Sequence, residues 1–125
     1  MIESHDAHEE NDGIPGDELL GVLAALANPH RLRIIASLVT RRNYVSQLAR
    51  ELGMSRPLLH MHLQRLERAG LIVGASEIAE DGKAMKYYEV APFAIRLTPA
   101  SIAGAVATLA DLERRTTDGP DAGRA

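Results

Sequence analysis

A chain of 125 residues with 14 Lys and Arg against 17 Asp and Glu, no Cys, no Trp and one Phe suits a single domain of average polarity. Without a thiol it excludes a disulfide scaffold, Cys-ligated zinc and cysteine nucleophiles. At 46% hydrophobic but 3% aromatic, its core is expected to be Leu, Ile, Val and Ala, a mixture that favours helices over β-sandwiches. The longest apolar stretches, Leu19 to Ala27 and Ile102 to Ala110, fall far short of a bilayer span. Met1 to Asp12 holds acids and histidines where an export signal would hold positive charge and an apolar run. The expectation is a cytoplasmic protein without membrane contact.

The overall charge of -3 hides a segregation along the chain. Residues 1–27 carry seven acids and no Lys or Arg, whereas residues 28–96 carry eleven bases against six acids, a balance of +5. The remainder, from Leu97, stands at -1. A basic middle of this size can neutralise several phosphates, although charge alone fits an ordinary solvated surface equally well.

Residues 1–16, with Gly13, Pro15, Gly16 and five acids, read as a disordered acidic arm, and residues 116–125 read as a disordered tail. The intervening 17–115 are expected to form the folded domain. Asp17 is expected to cap a first helix in which Leu19, Leu20, Leu23 and Leu26 recur at helical spacing. Asn28-Pro29 restarts the chain as an N-cap followed by Pro at the first helical position, and Leu32, Ile35, Ala36 and Val39 are expected to line its buried face. A short third helix carries Val45, Leu48, Ala49 and Leu52 and ends at Gly53. Ser55 caps a fourth, with Pro57 in its first turn, a Leu59/Leu63/Leu66 stripe and a stop at Gly70. The period then changes: β-favouring residues over 71–78 and 85–90 flank a polar Glu80-Asp81-Gly82-Lys83 turn, a hairpin with a charged tip. Tyr87 and Tyr88 alternate across its second strand, one inward and one outward. Pro99 opens a last helix with Ile102, Ala105, Val106, Leu109 and Leu112 on one face.

The segment from Val45 to Gly70 meets the demands of a helix-turn-helix: a short helix, a tight turn at Gly53 and a second helix with a small polar cap. The hairpin that follows, with Lys83 at its tip and Lys86 behind, adds the basic wing. The fold class expected is therefore mainly α with a small β-hairpin, a winged helix-turn-helix of order α-α-α-α-β-β-α. On the fourth helix Arg56, His60, Met61, Gln64 and Arg68 lie off the leucine stripe, free with the cap Ser55 to donate to base edges or phosphates. His62 is expected to pack against the second helix instead.

Three stretches together resemble a known family. They are Leu26-Ala27-Asn28-Pro29-His30-Arg31-Leu32-Arg33-Ile34, then Ser46-Gln47-Leu48-Ala49, then Ser55-Arg56-Pro57-Leu58-Leu59-His60-Met61-His62-Leu63 with Leu66-Glu67-Arg68-Ala69-Gly70-Leu71-Ile72. They are similar to the ArsR-type winged-helix transcriptional repressors, whose Ala-Asp/Asn-Pro-x-Arg-Leu opening and Ser-x-Pro-x-Val-Ser-His-His-Leu recognition helix recur. The likeness covers Leu19 to Val90 and departs at His60 and Met61, where the family more often has Ser and His. It implies a homodimeric repressor of double-stranded operator DNA, with the first and last helices as the dimer interface. The residues concerned are Leu19, Leu23 and Leu26 with Ile102, Val106 and Leu109. The family's metal sensors use Cys pairs near the third helix or His, Asp and Glu on the last, and here the last offers only Asp111 and Glu113.

No cofactor or metal site is expected. His5, Asp6, His8 and Glu9 are the one cluster of metal-ligand types, and an acidic arm produces such a cluster by chance. A metal-responsive repressor built on His5 and His8 is an alternative, as is a winged-helix module for protein or RNA contacts. An inducer is left open as a small molecule or none. No Ser/His/Asp order, phosphate-binding Gly loop or carboxylate pair in a cleft suggests an enzyme.

Overall fold

The computed structural model describes residues 13–117. Residues 1–12 of the expected arm, His5 and His8 among them, and 118–125 of the expected tail lie outside them. The elements in chain order are α1 (Gly16–Leu26), α2 (Pro29–Thr40), β1 (Asn43–Tyr44), α3 (Val45–Leu52), α4 (Arg56–Arg68), β2 (Ile72–Ile78), β3 (Ala84–Val90) and α5 (Pro99–Thr117). Two compact units contain them: Val22–Phe93, and the described residues on either side of that span.

Each helix boundary in the central unit has a local cause. Asn28 is extended, and its Oδ1 accepts from the backbone N–H groups of His30 at 2.8 Å and Arg31 at 3.3 Å, with Pro29 pre-set for the first turn. Gly53 ends α3 in the left-handed region at φ 62°, returning its N–H to the carbonyls of Ala49 and Arg50. Ser55 opens α4 by accepting from Leu58 N at 3.3 Å, and Gly70 closes the turn after it at φ 79°. The chain reverses there because Leu71 N returns to Leu66 O at 3.0 Å.

Those ends fix which side chains face inward. Ile34 and Leu38 of α2, Leu48 of α3, and Leu59, Leu63 and Leu66 of α4 are wholly buried, with Leu71, Ile72 and Tyr88 from the strands. Each contributes about 1.5–3 kcal/mol of apolar burial. The expected α2 face is a correction: Leu32 and Val39 are 53% and 65% exposed, Ala36 is exposed and Ile35 half-buried. Two neighbouring apolar stripes run along α2, and inward-turned Arg31 selects the one with Ile34 and Leu38.

The sheet has the order β1-β3-β2 and is antiparallel throughout. The hairpin pairs Ile72 with Val90 at its base and Ile78 with Ala84 at its tip, where Gly82 turns at φ 86°. Tyr88 is the inward tyrosine and Tyr87 is half-buried, as alternation requires. Strand β1 is an addition to the expected hairpin; its two residues pair with Tyr88 and Tyr87, too few for any period-2 signal.

In the flanking unit, α1 begins at Gly16, one residue before the expected cap, with Leu19 N donating to Pro15 O at 2.9 Å. Asp17 Oδ1 accepts from its neighbour Glu18 N at 3.0 Å instead. Gly16 N donates to Thr108 Oγ1 at 2.6 Å, so the two backbones meet closely. Helix α5 starts with a reciprocal box that the sequence reading missed: Thr98 N donates to Ser101 Oγ at 2.9 Å and Ser101 N to Thr98 Oγ1 at 3.0 Å. It runs through Thr117, so residues 116 and 117 of the expected tail are helical.

The approach at Gly16 leaves no room for a side chain. A Cβ there would lie 2.5 Å from the Ala105 carbonyl oxygen and 2.9 Å from Leu109 Cβ. Gly16→Ala is therefore expected to destabilise the fold by about 1–3 kcal/mol. Urea titration should show a lower midpoint at unchanged slope.

Candidate nucleic-acid interface

Helix α4 divides cleanly. Leu59, His62, Leu63 and Leu66 face inward, which leaves Ser55, Arg56, His60, Met61, Gln64 and Arg68 exposed. All six candidates from the recognition segment thus stand on the solvent side. Lys83 and Lys86 of the wing are exposed as well.

A groove of about 630 Å³ brings part of this set together. Arg56 and His60, from the first two turns of α4, share its lining with Lys83, Met85 and Lys86 of the wing and with Tyr44, Val45 and Ser46 at the start of α3. Met61, Gln64 and Arg68 are not part of that lining; they continue along the outer face of α4. The arrangement offers cationic and hydrogen-bonding groups from three elements to one polyanionic strand, beside a helix whose outer positions are free for base edges.

The wing is held in place by contacts the sequence reading did not foresee. The Tyr44 hydroxyl donates to Glu77 Oε1, Arg42 pairs with Glu77 at 3.5 Å, and the Arg42 guanidinium lies 4.2 Å from the Tyr87 ring centroid. The Glu77 bond also pushes the Tyr44 phenol above its ordinary value. Lys86 is only partly a free cation: its ammonium sits 5.5 Å from the Tyr88 ring centroid. A Cβ at Gly74 would lie 2.6 Å from the Tyr88 ring and 3.1 Å from Lys86 Cε, so that glycine makes room chiefly for the ring. Burial raises the Tyr88 phenol, with the Lys86 charge opposing.

Behind the exposed face lies a buried polar contact. Arg31 is 7% exposed and His62 is 3% exposed. The guanidinium Nη1 of Arg31 meets His62 Nδ1 at 3.0 Å, while its Nε donates to the Ala25 carbonyl at 2.6 Å and Nη2 to Ala24 at 3.5 Å. The His30 ring is 5.4 Å from that of His62, centroid to centroid. Packing of His62 against α2 is as expected; its partner Arg31, within the Asn-Pro-x-Arg motif, was not anticipated.

The helices expected to form the dimer interface present a mixed picture. Leu19, expected at the interface, is 6% exposed, so its side chain is spent inside the chain. Leu26 and Leu109 are half-buried. Leu20, Leu23, Ile102 and Val106 are 51%, 36%, 45% and 49% exposed. Among the described residues no group of three or more His, Asp or Glu is gathered as metal ligands would be.

A capped helix-turn-helix followed by an antiparallel hairpin that exposes Lys83 and Lys86 defines a winged helix-turn-helix protein. Residues 28–73 match the model of the bacterial regulatory protein, arsR family. An uncharacterised HTH-type transcriptional regulator of Methanocaldococcus jannaschii, MJ0229, is 36% identical over 69 residues, spanning 55% of this chain and 72% of that protein. The chain belongs to the arsR family of transcriptional regulators. Among solved structures, that of a possible transcriptional regulatory protein from Mycobacterium bovis (fragment 1–100) matches with a TM-score of 0.53 at 26% identity, over 82% of this chain and 94% of the fragment. A solution structure of the same fragment is described as a homodimeric winged helix-turn-helix DNA-binding domain. It shares this fold with a TM-score of 0.52 at 24% identity, over 78% and 82% of the two chains.

Burial, then the Arg31 charge, then His30 and Arg65 lower the His62 pKa from its usual 6.5. The unfolded chain gains a proton on this residue as pH falls through about 6.5 while the folded chain does not. Its contribution to stability is therefore complete above that pH and shrinks below it, until the folded group titrates too. Urea midpoints measured across this range should fall on acidification, and His62→Gln should remove that part of the decline.

Proposed function

We propose that this regulator is a homodimeric repressor that places α4 in successive major grooves of a near-palindromic operator, with the wing on flanking phosphates. The observation that carries the reading is the shared groove of Arg56, His60, Lys83 and Lys86. Arg56 and His60 in the first half of α4, with Gln64 behind them, read base edges; Met61 supplies apolar contact, and Ser55, Arg68 and the two lysines hold phosphates. Operator DNA and a second copy are the partners. The homodimeric description of the Mycobacterium bovis fragment and the exposed Leu20, Leu23, Ile102 and Val106 support the second.

Neither a cofactor nor a metal is part of the proposed mechanism, and an inducer, where one acts, is a small molecule. A regulator of this kind works in the cytoplasm beside the chromosome. Among the described residues no single helix is long and apolar enough to cross a membrane.

Selection of duplexes from a random pool tests the reading directly. On the enriched duplex, Arg56→Ala is expected to cost about 1–3 kcal/mol at one base position; equal weakening on every duplex would overturn its role as a base reader. The Lys83→Ala/Lys86→Ala pair should weaken all duplexes alike and flatten the salt dependence by about one to two phosphates. Binding insensitive to salt would instead favour a winged-helix module for protein contacts.

Ile102→Glu/Val106→Glu is expected to convert dimers into monomers with much weaker duplex binding. Sedimentation equilibrium reads the assembly state. Dimers of unchanged affinity would place the interface elsewhere.

A further inference from the structure

We propose that the Arg31–His62 contact positions the recognition helix α4 for DNA, and that protonation of His62 breaks the contact and releases the DNA. The inference rests on the DNA-binding reading above and adds a proton to its regulation.

Donor and acceptor counts carry the argument. A guanidinium has only donors. The nitrogen it meets, His62 Nδ1, must therefore accept, which puts the single imidazole proton on Nε2. That nitrogen is buried and has no hydrogen-bond partner among the described residues. Neutral His62 is thus held by one bond, at Nδ1. A second proton turns Nδ1 into a donor aimed at a donor and sets two cations 3.0 Å apart.

The two partners respond unequally. Arg31 keeps the carbonyls of Ala25 and Ala24, whereas His62 has nothing else to bond. Among the described residues the charged and titratable groups acting on it all disfavour a second proton: Arg31 and His30 from α2, and Arg65 from its own helix. Helix α1 contributes the carbonyls that hold Arg31. The α4 side of the contact is therefore the side that yields. His62 lies between the outward His60 and Gln64, so its displacement shifts the residues proposed to read bases.

The sign distinguishes this device from ordinary electrostatics. Acid makes a protein more positive and by itself tightens binding to a polyanion. Release by acid needs a conformational cause.

The test uses the full chain and a labelled duplex of about 30 base pairs, enriched from a random pool near pH 7.5. Affinity is read by fluorescence anisotropy near pH 7.5 and near pH 5.5 at fixed ionic strength, with far-UV circular dichroism as the check on folding. The wild-type chain is expected to bind about tenfold or more weakly at the lower pH while it remains folded. His62→Gln, whose amide oxygen accepts from Arg31 but does not titrate, should bind well at the higher pH and lose nothing at the lower. Unchanged or tighter wild-type binding in acid would overturn the proposal, as would an equal acid loss in the glutamine variant.

Amide hydrogen exchange on the wild-type chain keeps the test independent of that variant's folding. Protection in α4 should fall relative to β2 and β3 on acidification, after correction for intrinsic rates. Equal protection at both pH values would refute the contact's role. Failure to enrich any duplex near pH 7.5 counts against the DNA reading itself, and exchange still decides the behaviour of His62.

Discussion

The buried guanidinium of Arg31 is the constraint on which the central unit turns. It satisfies the Ala25 carbonyl that the end of α1 leaves free, adds a second bond to that of Ala24, and reaches across to the helix that carries the exposed site. A cation is favoured at a helix C-terminus by the aligned peptide dipoles. Arginine suits the position better than lysine because its planar fork aims donors at three acceptors at once and stays charged when buried. Its removal would orphan the Ala25 carbonyl and take the Nδ1 bond from His62, which makes truncation far more costly than a count of hydrogen bonds suggests.

From that anchor the site follows in steps. Arg31 turned inward fixes the rotation of α2, so that Ile34 and Leu38 reach the core while Leu32 and Val39 remain outside. The Asn28 cap places Arg31 in the first turn, close to the carbonyls it binds. Leu59, Leu63 and Leu66 then hold one side of α4, and the opposite side is outward as a geometric consequence. The wing reaches α4 through the sheet: Tyr88 is wholly buried, and Tyr44 and Arg42 tie the hairpin's outer strand through Glu77. Exposed ion pairs of the Arg42–Glu77 kind are individually weak, so the buried tyrosine and the β-ladder carry more of the wing's placement.

Much of this is legible in the sequence because caps are chemically specific. Asn28-Pro29, Gly53, Ser55 and Gly70 each mark a boundary that the structure keeps, and the leucine stripe of α4 separates core from surface without ambiguity. Helix α2 is less readable, since apolar residues at 32, 34, 35, 36, 38 and 39 fit two adjacent faces and hydrophobicity cannot choose between them. A buried arginine made the choice, and burial of a charge is the least expected event from composition. The two-residue β1 has no period to detect. Of the site, exposure of the α4 residues could be read, but the meeting of Arg56 and His60 with the wing could not, because it depends on how the hairpin folds back. Leu19 shows the same limit from the other side: its spacing matches that of Leu23, yet only packing reveals that one is buried and the other is not.

The small reach of the site gives the proposed dimer its purpose. In the proposed reading α4 offers Arg56, His60 and Gln64 to bases, enough to discriminate a few base pairs at about 1–3 kcal/mol each. That is too little to distinguish one operator among the many competing sites of a genome. Duplicating the helix through a two-fold axis doubles the discriminating contacts without enlarging the chain, and a two-fold interface needs only one self-complementary patch. Isolated apolar side chains on a surface require no explanation, but Ile102 and Val106 recur at i and i+4 on α5 and form a stripe of the kind a second copy covers. The charge distribution agrees: the bases are concentrated between residues 28 and 96, while residues 1–27 are acidic throughout. The proposed phosphate contacts thus fall in the segment richest in bases, and the proposed interface on the terminal helices relies on apolar packing.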